Sequence, residues 1–157
     1  MTSSQIESII EYFELSAEYF VWQGKNTTPD MDDDARLKLY YETVIIPDII
    51  DNDQDYEKVL ALMEHADYTW DEAESAIDKD KFKVLTDDEA NEAMKKYAKD
   101  YLEDNVLSQI PKEYHQYFDS EQFIADQLTD RGAALASYDG AEYEVTINGT
   151  TYYIYEQ

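Results

Sequence analysis

Through residues 1–78 the apolar positions recur every three or four residues, the period of an α-helix with one buried face. Ile6, Ile9, Ile10, Phe13, Ala17, Phe20 and Val21 predict a first helix, capped at Ser3 or Ser4 and stopped near Gly24. A second helix is expected from the acids at Asp30 to Asp34, carrying Leu37, Tyr40, Tyr41 and Val44, with Pro47 ending or kinking it. A third follows Asp51 to Asp53, with Tyr56, Val59, Leu60 and Met63 on one face. Thr69-Trp70-Asp71-Glu72 has the form of a capping box and opens a fourth helix to about Asp78.

The period then changes. Lys81-Phe82-Lys83-Val84-Leu85 alternates like a short strand. Thr86-Asp87-Asp88-Glu89 is a second capping box, starting a long helix to about Gln109, before Pro111. Asp119 with Gln122 is placed to cap another helix bearing Phe123, Ile124 and Leu128. Glu142 to Ile147, Asn148-Gly149 and Thr150 to Tyr155 read as a hairpin with a type I′ turn. These elements predict an α+β fold. An acidic helical part, residues 1–78, leads into an α+β part, residues 79–157, whose C-terminal hairpin belongs to a small antiparallel sheet. The two parts could equally form one compact domain.

Charge changes this picture more than any other property. The chain has 37 acidic against 12 basic residues, a formal net charge of −25. Self-repulsion on that scale opposes compaction, so its retention needs a reason. With 43% hydrophobic residues the chain is nonetheless rich enough to fold. General salt adaptation would deplete lysine and large apolar residues, and neither is depleted here. The charge is uneven, with a net of −16 over residues 1–78, −1 over 79–112 and −8 over 113–157. An anionic surface is repelled by nucleic acid and anionic lipid, so direct binding to either is not expected. The chain has no cysteine, no signal-like start and no stretch near the ~20 apolar residues of a membrane span, which together lead us to expect a cytoplasmic protein.

Catalytic and metal chemistry find little support. Asp51-x-Asp53-x-Asp55 begins like a calcium loop, but the glycine and glutamate such a loop needs are replaced by Tyr56 and Leu62. Asp30-x-Asp32-x-Asp34 fails in the same way at Ala35 and Tyr41, and both runs suit helix N-termini better. His65 and His115 lack any paired-ligand spacing, and four scattered glycines cannot make a phosphate loop. No enzymatic activity, cofactor or metal is expected.

The positions of the acids carry more information than their number. Glu7, Glu11, Glu14 and Glu18 fall at i, i+4, i+7 and i+11, and Asp67, Asp71, Glu74 and Asp78 repeat that spacing around the fourth helix. Neighbours in such a row lie ~5–6 Å apart, and like charges there cost ~0.2–0.5 kcal/mol per pair. The first row has no basic residue among it. Duplex DNA carries one charge per ~1.7 Å, so 25 charges match ~40 Å of duplex, close to the diameter of a compact chain of this size. Of the fifteen tyrosines, Tyr40, Tyr41, Tyr97 and Tyr101 have the spacing of core or boundary positions. Tyr152, Tyr153 and Tyr155 suit a half-buried strand. Any tyrosine exposed among acids would suit a protein interface.

One stretch resembles a known family. Pro111, Tyr117, Phe118, Asp119, Glu121, Phe123 and Asp126 match the Pro, Tyr-Phe-Asp-x-Glu-aromatic and following Asp of the C-terminal part of ArdA-type antirestriction proteins. Arg131 to Gly140 is similar to the tails of small acidic phage and mobile-element proteins. The resemblance covers about a quarter of the chain. It implies a DNA mimic that occupies the DNA-binding groove of a host restriction or CRISPR-type complex. The expectation is thus an anti-defence inhibitor that binds a basic protein in the host cytoplasm through the eight acids named above. The alternative is an antitoxin-like or adaptor module that uses a tyrosine-rich surface. Both leave a homodimer open.

Overall fold

Thr2 opens the first helix in the computed structural model, which describes residues 1–157. Its backbone N–H donates to Gln5 Oε1 at 2.9 Å, and the Gln5 N–H returns a bond to the Thr2 hydroxyl at 3.2 Å, so two otherwise orphaned donors are satisfied. Helix α1 (Ser3–Tyr12) buries Ile6, Ile9 and Ile10. Helix α2 (Ser16–Asn26) is a separate element. The expected single helix to Gly24 is therefore two. Leu15 N–H bonds the Ile10 carbonyl at 2.8 Å and Glu14 N–H bonds that of Glu11 at 3.1 Å, the pattern that closes a helix around a left-handed residue. That residue is Glu14, with φ of 55°, where glycine is usual.

Helix α3 (Asp33–Tyr40), capped by Asp32, runs through a wider π-turn (Tyr41–Ile45) into the short α4 (Ile46–Asp48) at Pro47. Asp53 caps α5 (Gln54–Ala66), which ends at Asp67, again left-handed. Thr69 and Glu72 form the expected box at the start of α6 (Trp70–Asp78). Strand β1 (Phe82–Thr86) follows, then α7 (Asp87–Tyr101), opened by the Thr86/Glu89 box. Helical turns of other pitch carry α7 on to Gln109. Asp119 caps α8 (Ser120–Gln127), and α9 (Arg131–Leu135) leads to the hairpin β2 (Tyr143–Ile147) and β3 (Thr150–Glu156). Asn148 and Gly149 both have positive φ, as a type I′ turn requires. The fold is α+β.

The sheet is antiparallel in the order β1-β3-β2, with Lys83 opposite Tyr155 and Val145 opposite Tyr152. Alternation along β3 then divides the core. Tyr152 and Ile154 join Phe82, Val84 and Ile147 in the core formed with α1, α3, α5 and α6. Tyr155, with Leu85 and Tyr153, faces Ala90, Met94 and Ala98 of α7 and Leu135 of α9. Helices from both parts of the chain thus pack on one sheet, whose three strands all lie in residues 79–157.

Arg131 fastens the C-terminal elements. It donates to Glu142 through Nε at 2.9 Å and Nη2 at 3.1 Å, and to Asp87 Oδ1 at 2.7 Å and Asn91 Oδ1 at 2.9 Å through Nη1. Its guanidinium also stands 4.3 Å over the Tyr153 ring. Burial opposes its charge, but the hydrogen bonds to Glu142 and Asp87 outweigh burial and push its pKa further up. Gly132 beside it is sterically required, because a Cβ there would lie 2.7 Å from the Gly140 carbonyl oxygen and 2.9 Å from the Glu142 nitrogen.

Candidate anionic docking surface

Helix α1 packs against both α3 and α6, and this brings together acids that are far apart in sequence. On the α6 side, the Tyr12 hydroxyl donates to Glu74 at 2.8 Å and the Trp70 backbone N–H donates to the Ser8 hydroxyl at 3.1 Å. On the α3 side, the Ser3 hydroxyl donates to Asp34 at 2.7 Å. A groove of about 540 Å³ runs between α1, α2 and α3, with Glu7, Glu11 and Asp33 on its rim and Ile10, Tyr19 and Leu37 on its floor. Carboxylates of α3 thus flank those of α1 on one side, and carboxylates of α6 flank them on the other.

Of the eight acids expected to bind a partner, Glu7, Glu11, Glu14, Glu18, Asp67, Asp71 and Asp78 are exposed and Glu74 is half-buried. None has a cationic nitrogen within 4.0 Å; the ion pairs of the molecule lie at Asp33, Asp87, Glu89, Glu92 and Glu142. The two rows are not continuous, however. Glu7 and Glu11 remain neighbours on α1, whereas Glu14 occupies the left-handed elbow and Glu18 rides on α2. Their shared spacing breaks because the helix breaks at Glu14. Asp67 likewise caps the end of α5, outside α6, so only Asp71, Glu74 and Asp78 share a helix face. Side-by-side helices therefore take the place of long single-helix rows.

The tyrosines register this field. Burial raises the Tyr19 pKa, and the charges of Asp33 and Glu7 add to the effect. Burial likewise raises that of Tyr40, with help from Glu18. The hydrogen bond to Glu74 raises that of Tyr12. Burial and nearby carboxylates both favour the neutral phenol, and that of Tyr12 donates to Glu74.

No family model, curated protein or solved structure matches the chain. The functional reading accordingly rests on geometry. Among the residues that resemble the antirestriction motif, Asp119 caps α8, Phe123 stacks on Tyr101 and packs against Phe118, and Asp126 accepts from Gln122. All three have local structural roles.

Sequence reasoning missed Asp33 and Asp34 as members of this surface, because their run looked like helix capping. Only Asp32 caps; the Asp33 side chain is 95% exposed. It also misplaced five apolar residues. Ala17, Phe20 and Val21 were expected on a buried face but lie outside, because α2 turns away from α1 at the elbow. Tyr97 and Tyr101, expected in the core or at its boundary, are 46% exposed and stack on each other above Met94.

No three His, Asp or Glu side chains converge on a point that could hold a metal ion. Asp51 accepts from Asn148 and Asp53 caps α5, so these two members of the calcium-like run are used structurally. His115 Nε2 lies 2.7 Å from the carbonyls of Leu107 and Ile110, and His65 packs against Tyr143. No helix is long and apolar enough to cross a membrane.

Proposed function

We propose that this protein is a DNA mimic, a phage or mobile-element anti-defence inhibitor that occupies the DNA-binding groove of a restriction or CRISPR-type complex. One observation carries the reading: the carboxylates of α1 are flanked by those of α3 and of α6, and Glu7, Glu11, Asp71 and Glu74 have no cationic partner within 4.0 Å. Such a surface presents fixed negative charge to a partner that would otherwise hold phosphates, and it would steer a basic groove toward it quickly at low salt.

Two of the acids also sit where they oppose stability. Glu14 and Asp67 adopt left-handed conformations at helix C-termini, where a side chain costs ~1–2 kcal/mol and a negative charge faces the negative end of the helix dipole. Retaining carboxylates there is understandable if the charge itself is needed.

The direct test is competition with duplex DNA for a purified type I restriction enzyme and for an RNA-guided nuclease, across a salt series. The proposal expects inhibition that weakens as salt rises and that falls when Glu7, Glu11, Asp71 and Glu74 are all neutralised. Inhibition unchanged by that neutralisation would sink it.

A second reading, an adaptor or antitoxin-like module, is favoured by a different observation. Tyr117 is 77% and Tyr138 76% exposed, on the other part of the molecule. That reading expects weak salt dependence and no competition with DNA.

A further inference from the structure

We infer that the outer face of α2 is an apolar anchor within the anionic docking surface, and that its occupant is a basic protein presenting an apolar patch among its cations. The inference rests on the docking part of the function proposed above. Helix α2 buries none of its eleven residues. Its inner side is held by Tyr19 and Trp22, whose rings pack 5.0 and 5.1 Å from that of Tyr40. Its outer side leaves Phe20 72% and Val21 54% exposed. A phenyl ring so fully in water contributes little to the fold.

The surroundings of these two residues limit what can cover them. Shallow depressions flank the helix, one beside Val21 with Ala17 and Glu18, the other beside Phe20 with Gly24 and Pro29. A Cβ at Gly24 would meet nothing within 4 Å, so the face is open to a large partner. Glu14 and Glu18 lie at its near end; Lys25, the only base on the helix, lines the depression beside Val21, and Arg36, paired with Asp33, lines the one beside Phe20. A second copy would bring another net charge of −25 against this one, and anionic lipid or nucleic acid would be repelled likewise. Charge complementarity selects a cationic protein surface. An apolar centre with a charged rim is the arrangement in which interface hot spots are found.

The two components respond differently to salt. Carboxylate contacts are screened over a Debye length of ~8–10 Å, whereas apolar burial is not. Full burial of a residue of this kind typically strengthens binding roughly tenfold to a hundredfold.

The test uses the whole chain and two synthetic helical peptides with the same number of lysines, one with a leucine face and one with serine in place of leucine. Affinities are measured by calorimetry from 0.1 to 0.6 M salt for the wild type, Phe20→Ser/Val21→Ser and Tyr97→Ser/Tyr101→Ser, with thermal melts confirming that each remains folded. The α2 variant is expected to bind the leucine-faced peptide at least about tenfold more weakly at every salt concentration, with an unchanged salt slope. Its binding of the serine-faced peptide should equal the wild type's. Equal binding of the leucine-faced peptide by wild type and α2 variant would overturn the inference. So would a loss confined to the Tyr97/Tyr101 variant, or sedimentation showing a wild-type dimer that the α2 variant dissociates. Failure of the mimic reading is visible separately, as peptide anchoring by Phe20 without protection of any defence complex from duplex DNA.

Discussion

Arg131 holds the carboxylate of Glu142 with two hydrogen bonds, and in doing so ties α9 to the residue that leads into the hairpin while its third nitrogen reaches α7. The Arg131 side chain is 9% exposed, so its removal strands a poorly solvated Glu142. Breaking such a pair costs about 3 kcal/mol, and Arg131→Ala should lower the melting temperature by about 6–12 °C. Arg131→Lys keeps the charge but cannot supply the fork or the stack on Tyr153, so it should recover less than half of the loss. Differential scanning calorimetry of both variants checks this.

Gly132→Ala should destabilise by about 1–3 kcal/mol, because the atoms its Cβ would strike at 2.7 and 2.9 Å are backbone and have little freedom to move. Urea unfolding of this variant beside Gly24→Ala gives the contrast. Gly24 lies within α2 with open space around it, and alanine there should stabilise by about 0.5–1 kcal/mol.

Asp67→Asn and Glu14→Gly should each raise stability, by about 0.5 and 1 kcal/mol. Asparagine tolerates the left-handed conformation without the charge, and glycine removes the steric strain. The same substitutions should weaken binding to a basic target. Thermal melts paired with affinity measurements at low salt would reveal these opposite signs; a loss of stability in either variant would contradict the account of the helix ends.

Alkaline pH should unfold the protein. Burial, aided by hydrogen bonds to Glu57 and Glu142, raises the pKa values of Tyr152 and Tyr155 in the folded state. Folding then favours the protonated phenols. Their stabilisation is complete below the ordinary tyrosine pKa of about 10 and declines as pH rises beyond it. The urea midpoint should fall above about pH 10, with tyrosinate absorbance rising in the same transition. At the acid end, burial works against ionised Glu89, but hydrogen bonds from Lys58 and Thr86 outweigh it and hold this carboxyl below its usual range. Its contribution is complete above the ordinary glutamate pKa of about 4.3 and is lost as pH falls. Lys58→Met should remove part of that acid sensitivity.

The helix starts and the hairpin were legible because their signals are local. Thr69 with Glu72, Thr86 with Glu89, and Asn148-Gly149 each determine a conformation within four residues. The break at Glu14 was not legible. Apolar spacing continues from Ile6 to Val21 with no glycine or proline, and the break accompanies Phe13 turning in to pack against Tyr56 and Trp70, residues far away in sequence. The candidate site divides in the same way. The helical spacing of the acids could be read from sequence, whereas their exposure and the packing of α1 against α3 and α6 depend on tertiary structure. Long single-helix rows were expected as a result, and short runs on adjacent helices were found.

The strand order β1-β3-β2 also has a consequence for synthesis. The central strand is the last of the three to be made, so while a ribosome is still translating residues before Thr150, β1 and β2 have no partner between them and the core beneath the N-terminal helices lacks Tyr152 and Ile154. The N-terminal helices must wait with their apolar faces uncovered, held apart from other nascent chains largely by their own charge.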